Sequence, residues 1–210
     1  MCGIAGYSGN FDRTLLPSMV SAISHRGPDD NGTFFSADGR TGLGHARLSI
    51  IDLSSDGHQP MTNEDRSLWL VFNGEIYNFV ELRDELQAKG HRFASSADSE
   101  VLLHLYEEHG QTMLPMLNGI FAFAIYDSHK NIIFIARDHL GVKPLYIAET
   151  PAGTAFCSEL KGLLPCPGLN RDIDMRAVNA HLTYIWSPSP ATMLKGVKKL
   201  PPGSACVVEH

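Results

Sequence analysis

The order of the predicted elements indicates an α+β fold in which helices pack on largely antiparallel sheets. A few strands come first, helices follow in the middle, and several strands come later in the chain. The strand candidates are short apolar runs, whereas the helix candidates carry apolar residues at helical spacing. With 210 residues, 43% of them hydrophobic, the chain can form one domain with a substantial core, or at most two small ones. Two sheets between layers of helices would satisfy this order.

The first third of the chain predicts a strand, a helix and a strand pair. Residues 3–8 are apolar and glycine-spaced, which is typical of a buried strand. Asp12 is placed to cap the helix that follows, and the Gly-Pro pair of HRGPDD ends it. Strands near 32–36 and 41–48 come next, joined by an Asp-Gly turn. Residues 52–66 are polar and contain glycine and proline, which predicts a loop.

The segment SLWLVFNGEIYN predicts two strands joined by a tight turn. Asn73-Gly74 is the strongest short hairpin signal in the chain. Asn78 and Glu81 then form a predicted capping box at the start of a helix near 79–89. The inward residues of that helix are expected to be Val80, Leu82 and Leu86.

The second half predicts more helices and the later strands. The segments NGIFAFAIYD and NIIFIARD indicate a buried hairpin around residues 128–130. Gly110 is expected as a helix C-cap, and Asp172 or Asp174 as an N-cap. The remaining predictions are helices near 99–109, 111–116 and 174–185, a short helix at SELKGLL, strands near 145–149 and 154–157, and an extended C-terminal segment.

Composition argues against several classes of function. The net charge is −6 and the basic residues are dispersed, which argues against a nucleic-acid-binding face. There is no signal peptide and no apolar run of the roughly 18 residues that cross a bilayer. The four cysteines form no CxxC pair and indicate reduced thiols in a cytoplasmic protein. Ten histidines include no HExxH or comparable pattern, so no metal site is expected.

Cys2 is the first candidate for chemistry. If Met1 is removed, Cys2 carries a nucleophilic thiol and an α-amine, whose ordinary pKa of about 7.7–8.0 suits a general base. One residue would then hold both halves of a nucleophile–base pair. The alternative is that Cys2 is a small buried residue at the head of a strand.

Four further residues are candidates for a site. The amide of Asn73 and the backbone N–H of Gly74 could form an oxyanion hole, which is compatible with a turn. Arg47 could clamp a carboxylate, or form a surface ion pair worth about 0–1 kcal/mol. Asp98 could bind an ammonium group, or cap the helix that follows it. Together Arg47 and Asp98 would suit a free amino acid held by both charged ends.

Six segments occur in order along the chain: MCGIAGY, HRGPDD, ARLSIID, FNGEIYN, ADSE and RDHLGVKPLY. They strongly resemble the glutamine amidotransferase domain of glutamine-hydrolysing asparagine synthetases, the class II amidotransferases with an N-terminal nucleophile. RGPDD at residues 26–30 favours this branch over sugar-phosphate amidotransferases, which usually show RGYDS. The resemblance extends from Cys2 to KKLPPG and implies a four-layer αββα sandwich of the Ntn-hydrolase type.

The resemblance also assigns roles to residues. Cys2 corresponds to the nucleophile, with Asn73 and Gly74 forming the oxyanion hole. Asp98 corresponds to the aspartate that binds the substrate amine, within ADSE rather than the commoner SDSE. The Arg26 loop is assigned a structural or gating role, and RDHLGVKPLY a structural one, with Lys143 facing a neighbouring domain. The implied glutamine-binding residues are Arg47, Leu48, Ser49, Ile50, Ile51, Asn73, Gly74, Glu75 and Asp98.

The implied domain is a glutaminase domain over residues 2–208, with an ATP-dependent synthetase domain expected downstream and absent from this chain. The glutaminase half is expected to need no metal or cofactor, whereas ATP and Mg²⁺ are expected in the synthetase domain. Expected partners are L-glutamine, the downstream domain and, left open by the sequence, a second copy in a homodimer. Two other functions stay open: the same glutaminase serving a different acceptor, or a non-catalytic binding module of the same fold.

Overall fold

The computed structural model describes residues 1–49 and 55–209. The strands are β1 Gly3–Gly9, β2 Asp30–Phe35, β3 Thr41–Arg47, β4 Met61–Thr62, β5 Leu68–Ile76, β6 Gly119–Asp127, β7 Ile132–Arg137, β8 Tyr146–Thr150, β9 Gly153–Cys157, β10 Val197–Lys199 and β11 Ala205–Glu209. The α-helices are α1 Leu15–Ala22, α2 Phe79–Ala88, α3 Glu100–His109 and α4 Met175–Tyr184. Short 3₁₀ segments cover Ser24–Arg26, Ser55–Gly57, Gly110–Met116 and Leu160–Leu163.

The strands form two antiparallel sheets. The first sheet has the order β10-β8-β9-β1-β3-β2, so the N-terminal strand lies inside it with a partner on each side. The second has the order β11-β7-β6-β5-β4. Every strand pair is antiparallel, as predicted.

Alternation along the strands separates three apolar layers. Ala5 of β1 packs with α1, whereas its neighbour Ile4 packs between the sheets. Phe72 of β5 packs with α2 and α3, and its neighbour Val71 points to the space between the sheets. Because successive side chains of a strand face opposite sides, each sheet is buried on both faces. The result is the expected four-layer αββα sandwich, with α1 outside the first sheet and α2 and α3 outside the second. No helix within residues 1–49 and 55–209 is long and apolar enough to span a membrane.

The predicted hairpin turn at Asn73-Gly74 is wrong. Both residues lie inside β5, which pairs without interruption with β6 over nine positions. A two-residue turn requires the flanking segments to pair with each other, whereas here both pair with the long apolar strand β6. Gly74 is needed for another reason, because a Cβ there would lie 2.4 Å from the carbonyl oxygen of Ile120.

Local capping predictions are corrected at two helices. Thr14, not Asp12, is the N-cap of α1, and Asp12 Oδ1 accepts a hydrogen bond from the Thr14 N–H at 2.8 Å. Asn78 does occupy the N-cap of α2, but its side chain makes no capping bond. It bonds instead to Met116 and Asn118, at 3.0 Å each, and ties α2 to the start of β6.

Other local predictions have mixed outcomes. Val80 was predicted to face inward and is 54% exposed, whereas Leu82 and Leu86 are buried as predicted. The loop expected over 52–66 contains the short strand β4, and its residues 52–54 lie outside the described part. Asp174 caps α4 as predicted, by accepting from the Arg176 N–H.

His45 crosses the space between the two sheets. It lies on β3 with no exposed surface, and its Nε2 is 3.0 Å from the carbonyl oxygen of Phe72 on β5. A carbonyl oxygen only accepts, so Nε2 carries the proton of the neutral ring. Burial lowers the pKa of His45 to about 4, because the imidazolium would lose its hydration there. His45 is therefore neutral in the folded protein at physiological pH.

We expect His45 to make the fold acid-sensitive. The His45 imidazole takes up a proton near pH 6.5 in the unfolded chain, but only near pH 4 in the folded chain. The contribution of neutral His45 to the stability of the fold is therefore present above pH 6.5 and is lost as the pH falls from 6.5 to 4. Between pH 7 and pH 4, this lowers the free energy of unfolding by about 3 kcal/mol. The free energy of unfolding, measured by urea denaturation across this range, should fall less steeply in His45→Gln than in the parent. The exposed control His139→Gln should keep the parental slope; equal slopes in all three proteins would contradict this assignment.

Candidate active site

A cavity of about 170 Å³ lies where β1 begins and β3 and β5 end, near the start of α3. It collects residues that are distant in sequence, and it includes every predicted site residue that the structure describes. These are Cys2, Arg47, Leu48, Ser49, Asn73, Gly74, Glu75 and Asp98. Ile50 and Ile51, also predicted to bind substrate, lie outside the described residues.

The thiol of Cys2 is held at the end of β3. Its Sγ lies 3.4 Å from the backbone nitrogen of Leu48 and 3.5 Å from the carbonyl oxygen of the same residue. The N–H can donate to a thiolate, and the carbonyl can accept from a thiol, so both protonation states have a partner. Cys2 is half-buried and faces the cavity.

The other cysteines are poor candidates for a nucleophile. All four cysteines are free, as expected for a reduced protein. Burial raises the pKa of Cys157 to about 12 and that of Cys166 to about 11, and it also raises the pKa of Cys206. The thiolate is the reactive form, so the raised pKa values disfavour these three thiols as nucleophiles.

The RGPDD segment holds the backbone around Cys2 in place from outside the cavity. Arg26 Nε donates to the carbonyl oxygen of Cys2 at 2.9 Å, and its Nη1 bonds Glu159 at 2.9 Å. Asp29 Oδ2 accepts from the N–H of Ser49 at 2.8 Å. Gly27 lies directly on β3, where a Cβ would be 2.3 Å from the carbonyl of Ala46. The structural role assigned to the Arg26 loop therefore has a physical basis in these contacts.

The free edge of β5 supplies the donors of the site. Tyr77 N–H donates to Asn118 O and Ser128 N–H donates to Ser67 O, so odd-numbered positions of β5 bond the β6 side. The N–H groups of even-numbered positions therefore point to the opposite edge of β5, where β4 pairs only with Trp69 and Leu70. There the N–H of Phe72 donates to Gln59 Oε1 at 2.7 Å, and the N–H of Ile76 donates to Asp98 Oδ2 at 2.8 Å.

Gly74 lies between these two occupied positions. Because backbone N–H groups along a strand alternate between its two edges, the N–H of Gly74 points to the same edge as those of Phe72 and Ile76. Gly74 also lines the cavity. Its neighbour Asn73 is 1% exposed, and among the residues that the structure describes its side-chain nitrogen has no hydrogen-bond partner. A buried amide donor without a partner costs about 1–3 kcal/mol. Asn73 and Gly74 therefore present two donors that a bound group can satisfy.

Asp98 forms the acidic end of the cavity. It is 6% exposed, and burial raises the pKa of its carboxyl group above the ordinary value while the hydrogen bond from Ile76 lowers it. The negative charge of Glu75 raises it further. Ser99, not Asp98, is the N-cap residue of α3, which corrects the alternative role for Asp98. Arg47 is 8% exposed at the end of β3 and lines the same cavity, so opposite charges flank the thiol.

His45, Gln59 and Lys143 are among the cavity residues that were not assigned to it from the sequence. His45 and Gln59 are both buried against the backbone of Phe72. His45 Nε2 donates to the Phe72 carbonyl oxygen, and Gln59 Oε1 accepts from the Phe72 N–H. Lys143 was expected to face a neighbouring domain, but it lines the cavity. It belongs to RDHLGVKPLY, whose first two residues shape the loop. Arg137 donates to the carbonyl oxygens of Gly141, Lys143 and Leu200, and Asp138 accepts from the N–H groups of Phe121, Leu140, Val142 and Lys143.

The αββα architecture, with a cysteine at the head of an inner strand, agrees with the Ntn-hydrolase type of fold that the resemblance implied. Residues 1–210 match the family model described as "Glutamine amidotransferase domain", and the chain belongs to this family. It is 39% identical to asparagine synthetase [glutamine-hydrolyzing] 1 of Bacillus subtilis over 97% of the chain and 33% of that protein. It is 41% identical to a putative asparagine synthetase [glutamine-hydrolyzing] of Mycobacterium bovis over 96% of the chain and 32% of that protein.

The chain thus spans about a third of the length of these relatives. Among solved structures, it is similar to the glutamine phosphoribosylpyrophosphate amidotransferase of B. subtilis, with a TM-score of 0.68 and 21% identity. That similarity covers 78% of the chain and 43% of the other protein. At this identity it concerns the fold alone.

Proposed function

We propose that this domain hydrolyses the side-chain amide of L-glutamine to glutamate and ammonia through a thioester on Cys2. The observation that carries the proposal is the pair of donors on β5, the unpartnered Asn73 amide and the outward N–H of Gly74, at the cavity that holds the thiol. Removal of Met1, which lines the same cavity, frees the α-amine of Cys2 as the general base.

The reaction proceeds in two halves. The amine takes the thiol proton, and the thiolate attacks the amide carbon, whose oxygen becomes an oxyanion between Asn73 and Gly74. The C–N bond breaks as the amine returns a proton to the leaving nitrogen, which departs as ammonia. Water then attacks the thioester, the C–S bond breaks, and glutamate leaves with the thiol restored. The proposed step needs no metal or cofactor.

The charges of the cavity account for a free amino acid as substrate. The Arg47 guanidinium suits the α-carboxylate, and Asp98 suits the α-ammonium group. Glu75 adds negative charge near Asp98, while backbone groups of Leu48 and Ser49 complete the binding surface. Ile50 and Ile51 continue the same segment and are included in the proposed binding site. Both charged ends would be buried on binding, which favours glutamine over a glutamine side chain within a polypeptide.

We further propose that the ammonia serves an ATP-dependent synthetase domain of the same polypeptide, which would make asparagine. The chain is similar to two glutamine-hydrolysing asparagine synthetases over about a third of their length, and this similarity supports the assignment. ATP and Mg²⁺ would bind in that further domain. A cytoplasmic location suits a nucleophile that must stay a reduced thiol.

Replacing Cys2 tests the nucleophile. Cys2→Ala should abolish glutamine-dependent ammonia release and leave the melting temperature close to that of the parent, because the side chain is small and half-buried. Cys206→Ala, which removes a different half-buried thiol, should retain activity. Mass spectrometry of the intact protein should show an active sample that begins at Cys2. Turnover by Cys2→Ala at the parental rate would refute the proposal.

Replacing Asn73 tests the oxyanion hole. Asn73→Ala should lower kcat about 10²- to 10³-fold, equivalent to about 2.7–4 kcal/mol, with little change in KM. The reason is that its side-chain nitrogen, which has no partner within residues 1–49 and 55–209, would gain one as charge develops on the substrate oxygen. Asn10→Ala, at an exposed position, is the control for steady-state kinetics. A rise in KM with kcat unchanged would instead assign Asn73 to ground-state binding.

Glutamine affinity should fall in acid because Asp98 binds the ammonium group only when ionised. Its pKa is raised by burial, so binding is strongest above that pKa and weakens as pH falls through it. Calorimetry on Cys2→Ala measures binding without turnover. Adding Asp98→Asn should weaken binding by about 1.5–3 kcal/mol and remove the pH dependence, whereas the exposed Asp84→Asn should do neither. Unchanged affinity with Asp98→Asn would remove Asp98 from the site.

A further inference from the structure

Two histidines and a glutamate converge on one point at the outer face of α3. His91 lies just after α2, and His104 and Glu107 lie on one face of α3. Glu107 Oε2 is 2.8 Å from His104 Nδ1 and 3.3 Å from His91 Nδ1. One potential ligand atom from each of the three residues lies within 4.8 Å of the others. The three residues show no metal-binding spacing in the sequence, because they come from two separate elements.

The spacing of these atoms suits a small divalent cation. Zinc binds imidazole nitrogen and carboxylate oxygen at about 2.0–2.2 Å, and tetrahedral geometry then places neighbouring ligand atoms about 3.3 Å apart. The distances from Glu107 Oε2 to His91 Nδ1 and to His104 Nδ1 are 3.3 and 2.8 Å, at and below this value, and all three ligand atoms lie within 4.8 Å of one another. The side chain of His104 is 1% exposed, while those of His91 and Glu107 are 15% and 25% exposed. The group is therefore anchored on the inside and open to solvent on the outside.

Two of the three residues also have an outer partner. His91 Nε2 is 3.1 Å from Glu108 Oε1, and the Asn63 amide donates to Glu107 Oε1 at 2.7 Å. Within the described part of the chain, His104 Nε2 is buried without a hydrogen-bond partner, and Glu100 Oε1 is 3.9 Å away. Metal-binding histidines usually direct their second nitrogen to a carboxylate, as His91 does toward Glu108, which fixes the ring for coordination.

The backbone holds these residues in place. His91 follows Gly90, whose positive φ of 103° ends α2, and the His91 N–H donates to Leu86 O at 3.1 Å. Glu100 accepts from the N–H groups of Ala94 and Ser95 at 2.7 and 2.8 Å. Phe93 packs edge-on against the His104 ring, with centroids 4.6 Å apart. The group is thus built from fixed elements rather than from mobile surface side chains.

We propose that His91, His104 and Glu107 form a binding site for a divalent transition metal of the Zn²⁺ type, with solvent completing the coordination. Two imidazoles and one carboxylate favour Zn²⁺ and its neighbours over Mg²⁺ or Ca²⁺, which prefer oxygen ligands. The ion would join the segment after α2 to α3. That connection carries Ala97, Asp98 and Ser99 to the cavity, and Asp98 lies only about two helical turns from His104. The site would therefore be structural, and separate from the thiol chemistry.

Metal binding is tested on the Cys2→Ala protein, because a free thiol and amine at the N-terminus would also chelate zinc. We expect one Zn²⁺ per chain by calorimetry, a raised melting temperature with Zn²⁺ but not with Mg²⁺, and visible absorption of low-coordinate Co²⁺ at the same stoichiometry. His91→Gln and Glu107→Gln should each weaken Zn²⁺ binding about tenfold or more and abolish the shift in melting temperature.

The matched control is His129→Gln, which removes an exposed histidine elsewhere and should bind Zn²⁺ as the parent does. His91→Gln is the more informative variant, since His91 is only partly buried and the fold should tolerate the change. Absence of stoichiometric Zn²⁺ binding, or equal affinity in the parent and both variants, would overturn the proposal. Because Cys2→Ala has no glutaminase activity in the scheme above, these outcomes do not depend on the proposed reaction.

Discussion

The antiparallel register of β1 on β3 is the constraint on which the site depends. Gly3 lies opposite Ala46, so the thiol of the preceding residue comes beside the backbone of Leu48. A slip of one residue would turn Ile4 away from the core between the sheets and move the thiol to another position. Arg26 and Asp29 support this register from the outside, one at the carbonyl of Cys2 and the other at the N–H of Ser49.

A second strand edge completes the chemistry. β4 is so short that the even-numbered N–H groups of β5 beyond it need other partners, and buried donors are rarely left without one. Gln59 and Asp98 supply those partners at Phe72 and Ile76, and the position between them faces the cavity. The same rule that stabilises a sheet edge thus isolates the N–H of Gly74 as a donor for a bound group.

The connection between α2 and α3 serves two purposes in one short segment. Its C-terminal end carries Asp98 to the cavity, and its N-terminal end carries His91 to the proposed metal site. Glu100 accepts three hydrogen bonds from Ala94 and Ser95, which fixes the path of the chain between these two ends. The position of Asp98 in the cavity and the position of His91 beside α3 are therefore linked through a few ordered residues.

The sequence by itself indicated an α+β class and most element positions through apolar periodicity, and its ordered motifs implied, by resemblance, the αββα arrangement and eight residues of the cavity, because these are local signals. It also suggested a turn at Asn73-Gly74, an inward Val80 and no metal site, and the structure differs on the first two and brings together His91, His104 and Glu107. Only the tertiary structure decided these points. Strand pairing with β6, the edge left open by β4 and the approach of His91 to α3 all depend on contacts between segments far apart in the chain, which no local pattern records.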